Sequence, residues 1–118
     1  MTRDAAPPTF PETFNLADYY LFDRLAEGLS DKVAVRFGEQ RHTYGDVAER
    51  TRDLAAFFAA KGVPREQRVL LVLHDTPAFV WSFFATLHHG AVVAMGNPEA
   101  PAEDLRYLVE YTRAAAVI

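Results

Sequence analysis

The four histidines are the first side chains that could do chemistry, as metal ligands or as acid–base groups. His88 and His89 are adjacent. On a helix, neighbouring side chains point about 100° apart, so two such histidines rarely share one metal ion. His42 and His74 have no carboxylate at the spacing of metal ligands. We therefore expect no metal site, and the adjacent pair suits the C-terminal end of a helix.

The other reactive residue types do not form a catalytic group. The chain has no cysteine, which excludes disulfides, thiolate ligands and a cysteine nucleophile. Asp75 follows an apolar run, where a phospho-acceptor aspartate could lie, but such a site also needs an acidic pair and a late lysine. The only lysines are Lys32 and Lys61. We expect Asp75 to cap a helix or lie in a loop.

Glycine spacing excludes the common phosphate-binding loops. The six glycines are at positions 28, 38, 45, 62, 90 and 96, and no two have the G-x-G spacing. Neither a dinucleotide fingerprint nor a Walker A loop is present. Residues 74–76 and 96–98 follow two apolar runs, where ligands bind in open α/β sheets. Loops occupy these positions in any such fold, so their placement alone does not indicate catalysis. We expect no catalytic or substrate-binding residue in this segment.

Composition narrows the class of partner. The net charge is −4, from 12 basic and 16 acidic side chains, so a nucleic-acid partner lacks electrostatic support. The longest apolar run, residues 54–60, is far shorter than the ~18 residues of a membrane span. The N-terminus lacks the apolar stretch of a signal peptide. We expect a cytoplasmic protein with neither nucleic acid nor a membrane as partner.

The first half of the chain predicts an arm, a helix and a hairpin. Residues 1–14 hold three of the seven prolines and predict an extended arm, which leaves residues 15–118 for the folded part. Asn15 is a plausible N-cap for a helix over residues 16–27. The apolar residues near helical spacing there are Leu16, Tyr19, Tyr20, Leu25 and Leu29. Alternation over residues 32–37 predicts a strand that pairs back with residues 41–43.

The second half predicts helices alternating with apolar strands. Thr43 caps a helix over residues 44–61, and residues 68–73 form a strand that is apolar on both faces. A helix follows over residues 77–90, then a second two-sided apolar strand at residues 91–95, a helix from residue 101 and a third strand at residues 114–118. We expect four aromatic side chains of the second helix to lie in the core: Phe79, Trp81, Phe83 and Phe84.

This order of elements sets the fold class. Strand–helix–strand–helix–strand over residues 68–118 predicts βαβ units, hence an α/β fold with a partial parallel-sheet lobe and flanking helices. Residues 115–118 look like the first half of a buried strand. We therefore expect residues 15–118 to be an incomplete lobe, the N-terminal part of something larger.

Two sets of motifs resemble one enzyme family. The first resembles the opening of the adenylate-forming acid–CoA ligases, in the superfamily of acyl-CoA synthetases, adenylation domains and luciferases: Thr43-Tyr44-x-x-Val47, Gly62-Val63, Arg68-Val69-Leu70-Leu71 and Gly90-Ala91-Val92. The second resembles the benzoate-CoA ligase branch: Phe14-Asn15-x-Ala17-x-Tyr19, Asp31-Lys32-Val33-Ala34 and Leu73-x-Asp75-Thr76-x-x-Phe79. Together they cover residues 14–118.

The resemblance implies an ATP-dependent ligase for a benzoate- or aminobenzoate-like aromatic acid. Such enzymes convert the carboxylate to an acyl-adenylate and then to a thioester of coenzyme A, and the complete enzyme needs ATP, Mg²⁺ and coenzyme A. The phosphate loop, the aryl pocket and the catalytic lysine of the family lie downstream of the matched region. The resemblance therefore implies that these 118 residues alone are inactive, bind no cofactor and have the remainder of the enzyme as their partner.

One loop departs from the pattern of the family. Some aryl-CoA ligases carry a basic residue after the Asn-Pro that corresponds to Asn97-Pro98, near the nucleotide of coenzyme A. Here Glu99 follows, and its charge would repel phosphate. Asn97, Pro98 and Glu99 are thus the candidate residues near coenzyme A. Two alternatives stay open: an amino-acid adenylation domain of a carrier-protein system, and a non-enzymatic α/β binding module.

Overall fold

Asn15 begins the regular structure of the chain. The computed structural model describes residues 5–118, so residues 1–4 of the predicted arm lie outside it; residues 5–14 form no helix or strand. The Oδ1 atom of Asn15 accepts a hydrogen bond from the N–H of Ala17 at 2.8 Å, which confirms the predicted cap. Its Nδ2 donates to the carbonyl of Leu87 at 2.8 Å. The boundary between an arm and a lobe at residue 15 stays a prediction.

The first helical segment is not the regular helix that the sequence predicts over residues 16–27. A π-helix, Asp18–Phe22, continues into α1, Asp23–Ala26. A π-turn contains an extra residue, which shifts the phase of the buried face. Ala17 and Leu21 are the buried residues of this segment. Three of the apolar residues near helical spacing are exposed: Leu16, Tyr19 and Tyr20.

A hairpin and a capped helix follow, as predicted. Strands β1, Val33–Phe37, and β2, Gln40–Thr43, pair antiparallel. Helix α2, Tyr44–Ala60, begins with a reciprocal cap. The Thr43 Oγ1 atom accepts from the Asp46 N–H at 3.1 Å, and Asp46 Oδ2 accepts from the Thr43 N–H at 2.9 Å. No helix within residues 5–118 combines the length and the apolar character needed to cross a membrane.

A three-stranded parallel sheet forms the second half and confirms the α/β class. Its strands are β3, Arg68–Leu71, β4, Val92–Met95, and β5, Ala116–Val117, in the order β4-β3-β5. The crossover helices are α3, Pro77–His89, and α4, Ala102–Thr112. Gly90, with φ of 88°, ends α3 in the left-handed conformation that favours glycine.

Strand β3 lies at the centre of the core. Val69, Leu70 and Leu71 are each 0% exposed, so both faces of β3 are covered, as the apolar run predicts. Val69 and Leu71 belong to the cluster that contains Phe58 of α2. Helix α4 packs against the end of β4. A Cβ added to Gly96, just after β4, would lie 3.1 Å from Cδ1 of Leu108.

The edge strands are more exposed than the sequence predicts. Val92 and Met95 of β4 are 46% and 60% exposed, so the expectation of burial on both faces is wrong for this strand. Its only strand partner among residues 5–118 is β3. Strand β5 is shorter than the predicted 114–118, although Ile118 continues the ladder by donating to the carbonyl of Leu70 at 3.0 Å.

The aromatic side chains of α3 divide between two clusters. Phe79 and Phe83 pack against the cluster around β3. Phe84 packs with Leu21 and Val47 beneath the hairpin. Each of these three rings is only half-buried. The predicted core role is therefore confirmed for the packing of Phe79, Phe83 and Phe84, while a part of each ring is exposed to solvent. It is wrong for Trp81, which belongs to neither cluster.

We expect Leu71→Ala to lower the free energy of unfolding by about 2–5 kcal/mol, because it opens a cavity beside a fully buried strand. Urea denaturation measures the loss. Val92→Ala removes apolar atoms from an exposed site in the same sheet and should cost well under half as much. Equal losses for the two variants would contradict the central position of β3.

The cap of α2 predicts a dependence of stability on pH. The hydrogen bond from the Thr43 backbone, and then that from its side chain, lower the pKa of Asp46 below 3.8. A lowered folded-state pKa stabilises the fold above the unfolded value, and the stabilisation disappears as the pH falls through the folded value. We expect Asp46→Asn to reduce the acid-induced loss of stability, as measured by urea denaturation between about pH 6 and pH 3.

Two variants of Thr43, the partner of Asp46 in this cap, test how much the cap stabilises α2. Thr43→Ala should cost about 1 kcal/mol, since it removes the side-chain acceptor for the N–H of Asp46. Thr43→Ser keeps that acceptor and should stay close to the parent. An alanine variant as stable as the serine variant would show that the cap adds nothing to the stability of α2.

Candidate functional site

Two loops meet at the C-terminal edge of the parallel sheet. Residues 72–76 follow β3 and residues 96–101 follow β4, and these strands are parallel neighbours. His74 Nε2 lies 3.2 Å from Glu99 Oε1, so the two loops are joined by their side chains. The cleft between the loops has a volume of about 250 Å³. It is lined by Leu73, His74, Asp75, Asn97, Pro98 and Glu99.

Asn97 holds the second loop in shape. Its Oδ1 accepts a hydrogen bond from the N–H of Glu99 at 2.9 Å, and its carbonyl accepts from the N–H of Ala100 at 3.0 Å. These bonds form a turn of the kind that asparagine favours. The turn directs the chain towards Pro101, after which α4 begins. The local structure thus accounts for Asn97 and places Glu99 beside the cleft.

The cleft is acidic and open to water. The side chains of His74 and Glu99 are 64% and 75% exposed, so their pair is worth at most about 1 kcal/mol. Asp75 adds a second carboxylate, and Glu103 and Asp104 begin the helix that follows. The loops 72–76 and 96–101 contain neither lysine nor arginine. Only His74, when protonated, can contribute a positive side chain from these loops.

The donor set of this cleft does not fit the phosphate groups of coenzyme A. A phosphate needs N–H donors or cations, preferably arginine. Here the N–H of Glu99 already donates to Asn97, and the carboxylates of Glu99 and Asp75 are acceptors that repel an anion. Contact between coenzyme A and residues 97–99 stays a prediction, and the chemistry of these side chains opposes a phosphate there.

The other histidines lie apart from this cleft, and each has different neighbours. His42 stands edge-on to Trp81 at 5.6 Å between centroids, and His88 lies 4.6 Å from the ring of Phe22. His89 Nε2 lies 2.7 Å from the carbonyl oxygen of Val63, at the opposite end of α3 from the cleft. Within residues 5–118, no three His, Cys, Asp or Glu side chains are grouped to hold a metal ion.

Two features of the surface are missing from the sequence-based predictions. One is the pairing of His74 with Glu99, which both follow adjacent strands; the register of those strands would have indicated it. The other is a groove between β1 and α3, made of two adjoining cavities of about 220 and 260 Å³ that share Val35 and Val80. Periodicity identifies buried faces but not the gaps between elements.

Residues 22–118 match the family described as AMP-binding enzyme. The chain belongs to this family. The match includes the whole parallel sheet and both loops of the acidic cleft. It confirms the resemblance to adenylate-forming enzymes, and it identifies the cleft as part of an AMP-binding enzyme fold.

Similar proteins of this family include two kinds of enzyme. The chain is 32% identical over 96 residues to a 3-hydroxybenzoate–CoA ligase of Aromatoleum sp. (strain CIB), covering 81% of this chain and 18% of the ligase. It is 34% identical over 98 residues to tyrocidine synthase 2 of Brevibacillus parabrevis, covering 83% of this chain and 3% of the synthase. The chain thus spans less than a fifth of the length of either relative.

A solved structure supports the aryl-CoA ligase branch. The crystal structure of a benzoate CoA ligase from Burkholderia xenovorans LB400 superposes with a TM-score of 0.81 and 34% sequence identity. The match covers 89% of this chain and 21% of that ligase. Fold and sequence together make the chain similar to the N-terminal segment of an aryl-CoA ligase.

Proposed function

We propose that the chain is the N-terminal part of an ATP-dependent ligase that joins an aromatic carboxylic acid to coenzyme A. The observation that carries the proposal is the similarity to a benzoate CoA ligase in both fold and sequence. The similarity to a 3-hydroxybenzoate–CoA ligase supports the same class of acid. Residues 15–118 would then be a lobe of the N-terminal domain, preceded by an arm at residues 1–14, in a cytoplasmic enzyme.

The proposed chemistry assigns a scaffold role to these residues. ATP, with Mg²⁺, would supply a leaving group for the carboxylate through an acyl-adenylate. That step requires fixed donors around phosphorus. The loops of the acidic cleft present carboxylates instead, so the donors must come from elsewhere in the enzyme. The segment supplies the buried strand β3 and the edge of the sheet on which the site is built.

A second function is an adenylation domain that delivers its acyl group to a carrier protein. The observation in its favour is the identity of 34% with tyrocidine synthase 2. The two functions differ in the thiol acceptor and in the acid that is activated, so substrate tests separate them. Membership in the AMP-binding enzyme family argues against the third reading, a non-enzymatic binding module.

Pyrophosphate release tests the proposal. We expect a complete protein that contains this segment to release pyrophosphate with ATP, Mg²⁺ and benzoate, hydroxybenzoate or aminobenzoate, and to form a thioester when coenzyme A is added. The 118 residues alone should release none, because the loops at the sheet edge lack phosphate donors. Activity with amino acids but not with aromatic acids would support the carrier-protein function instead.

A further inference from the structure

We infer that Glu99 is a specificity-determining residue that disfavours thiol acceptors carrying phosphate groups, and that His74 is a positioning residue that holds its carboxylate at the acidic cleft. The inference rests on the proposed function, in which an acyl group passes to a thiol. It adds a property of these two side chains that the resemblance to CoA ligases does not imply. It follows from the misfit between this cleft and a phosphate.

The place of the cleft makes its charge relevant to a ligand. Ligands of open α/β sheets bind outside the carboxyl ends of the strands. Here the loops at that edge carry Asp75 and Glu99, and α4 begins with Glu103 and Asp104. Clefts lined by one sign of charge concentrate ligands of the opposite sign and deplete those of the same sign. A phosphate-bearing acceptor therefore meets an unfavourable potential at this edge.

The geometry favours Glu99 over the other carboxylates as the residue that repels a phosphate at this edge. The turn formed by Asn97 orients the backbone of Glu99, and His74 Nε2 contacts its Oε1 at 3.2 Å. A glutamate with three-quarters of its side chain exposed would otherwise sample many rotamers. The contact with His74 favours the rotamers that hold the carboxylate between the two loops. The position of the charge is thus set by both loops together.

The first experiment compares two thiol acceptors with the complete enzyme. Pantetheine has the same thiol arm as coenzyme A but no phosphate. We expect Glu99→Gln to lower the KM for coenzyme A about two- to fivefold, as for an exposed charge contact, and to leave the KM for pantetheine unchanged. The change should disappear at about 1 M salt, where the Debye length is about 3 Å.

Three further variants provide the controls. Glu110→Gln removes an exposed carboxylate that pairs with Arg106 away from the cleft, and it should leave the ratio of the two KM values unchanged. His74→Ala releases Glu99 and should produce part of the Glu99→Gln effect, without a change in kcat. His74→Gln keeps a donor for Glu99 and should restore the parent ratio. In a Glu99→Gln background, His74→Ala should add nothing.

A binding measurement without turnover tests the same inference. Adenosine 3′,5′-bisphosphate, which carries phosphate groups of coenzyme A without its thiol arm, is titrated into the complete protein by equilibrium dialysis. We expect Glu99→Gln to lower its Kd about two- to fivefold and Glu110→Gln to leave it unchanged.

Each failure has a separate meaning. An unchanged KM ratio and an unchanged Kd in Glu99→Gln would overturn the inference and leave Glu99 as a residue that favours the N-terminal end of α4. A full effect of Glu99→Gln with none for His74→Ala would overturn the positioning role of His74. Absence of pyrophosphate release from the parent with every aromatic acid would instead refute the proposed function.

Discussion

The burial of β3 on both faces is the constraint on which the rest of the structure depends. Its residues Val69, Leu70 and Leu71 are inaccessible to water, so the neighbouring elements must either pair with this strand or cover it. Helices α2 and α3 cover the face of Val69 and Leu71 through Phe58 and Ala85, and α4 also contacts the strand. Strands β4 and β5 satisfy its two edges. A strand with one polar face would not require helices on both sides.

The same constraint determines where chemistry can occur. A strand that is fully buried has accessible residues only beyond its ends. At the C-terminal end of β3, the chain emerges as His74 and Asp75, beside the loop that follows β4. At the N-terminal end, Arg68 donates through Nε to the carbonyl of Thr112 at 2.7 Å and thus satisfies the end of α4. One end contributes to stability, and the other exposes side chains at the acidic cleft.

Local signals in the sequence predict much of this fold. Thr43 predicts a helix cap, and Gly90 predicts a left-handed helix end. The run from Arg68 to Leu71 predicts a strand that is apolar on both faces. These predictions require no knowledge of distant residues. Prediction succeeds there because capping, backbone conformation and periodicity act over a few residues. The α/β class and the order of elements follow from them.

Features that depend on distant contacts are not predicted. The π-helix Asp18–Phe22 is one such feature, and no spacing rule reveals it. The exposure of Val92 depends on which strand lies at the edge of the sheet. The contact between His74 and Glu99 depends on strand register. Of the candidate site, the sequence therefore identifies the loops and the residue types but not the pair.

The comparisons make the loops more informative than the scaffold. A 3-hydroxybenzoate–CoA ligase and tyrocidine synthase 2 match this chain at nearly the same identity, 32% and 34%, so the shared sheet does not distinguish between these two relatives. Function belongs to sites built on a fold, and at this edge the site is a few side chains on two short loops. A single charge there changes the local potential without any cost to the buried strand. Glu99 can therefore alter the preference for an acceptor while Val69, Leu70 and Leu71 continue to specify the same structure.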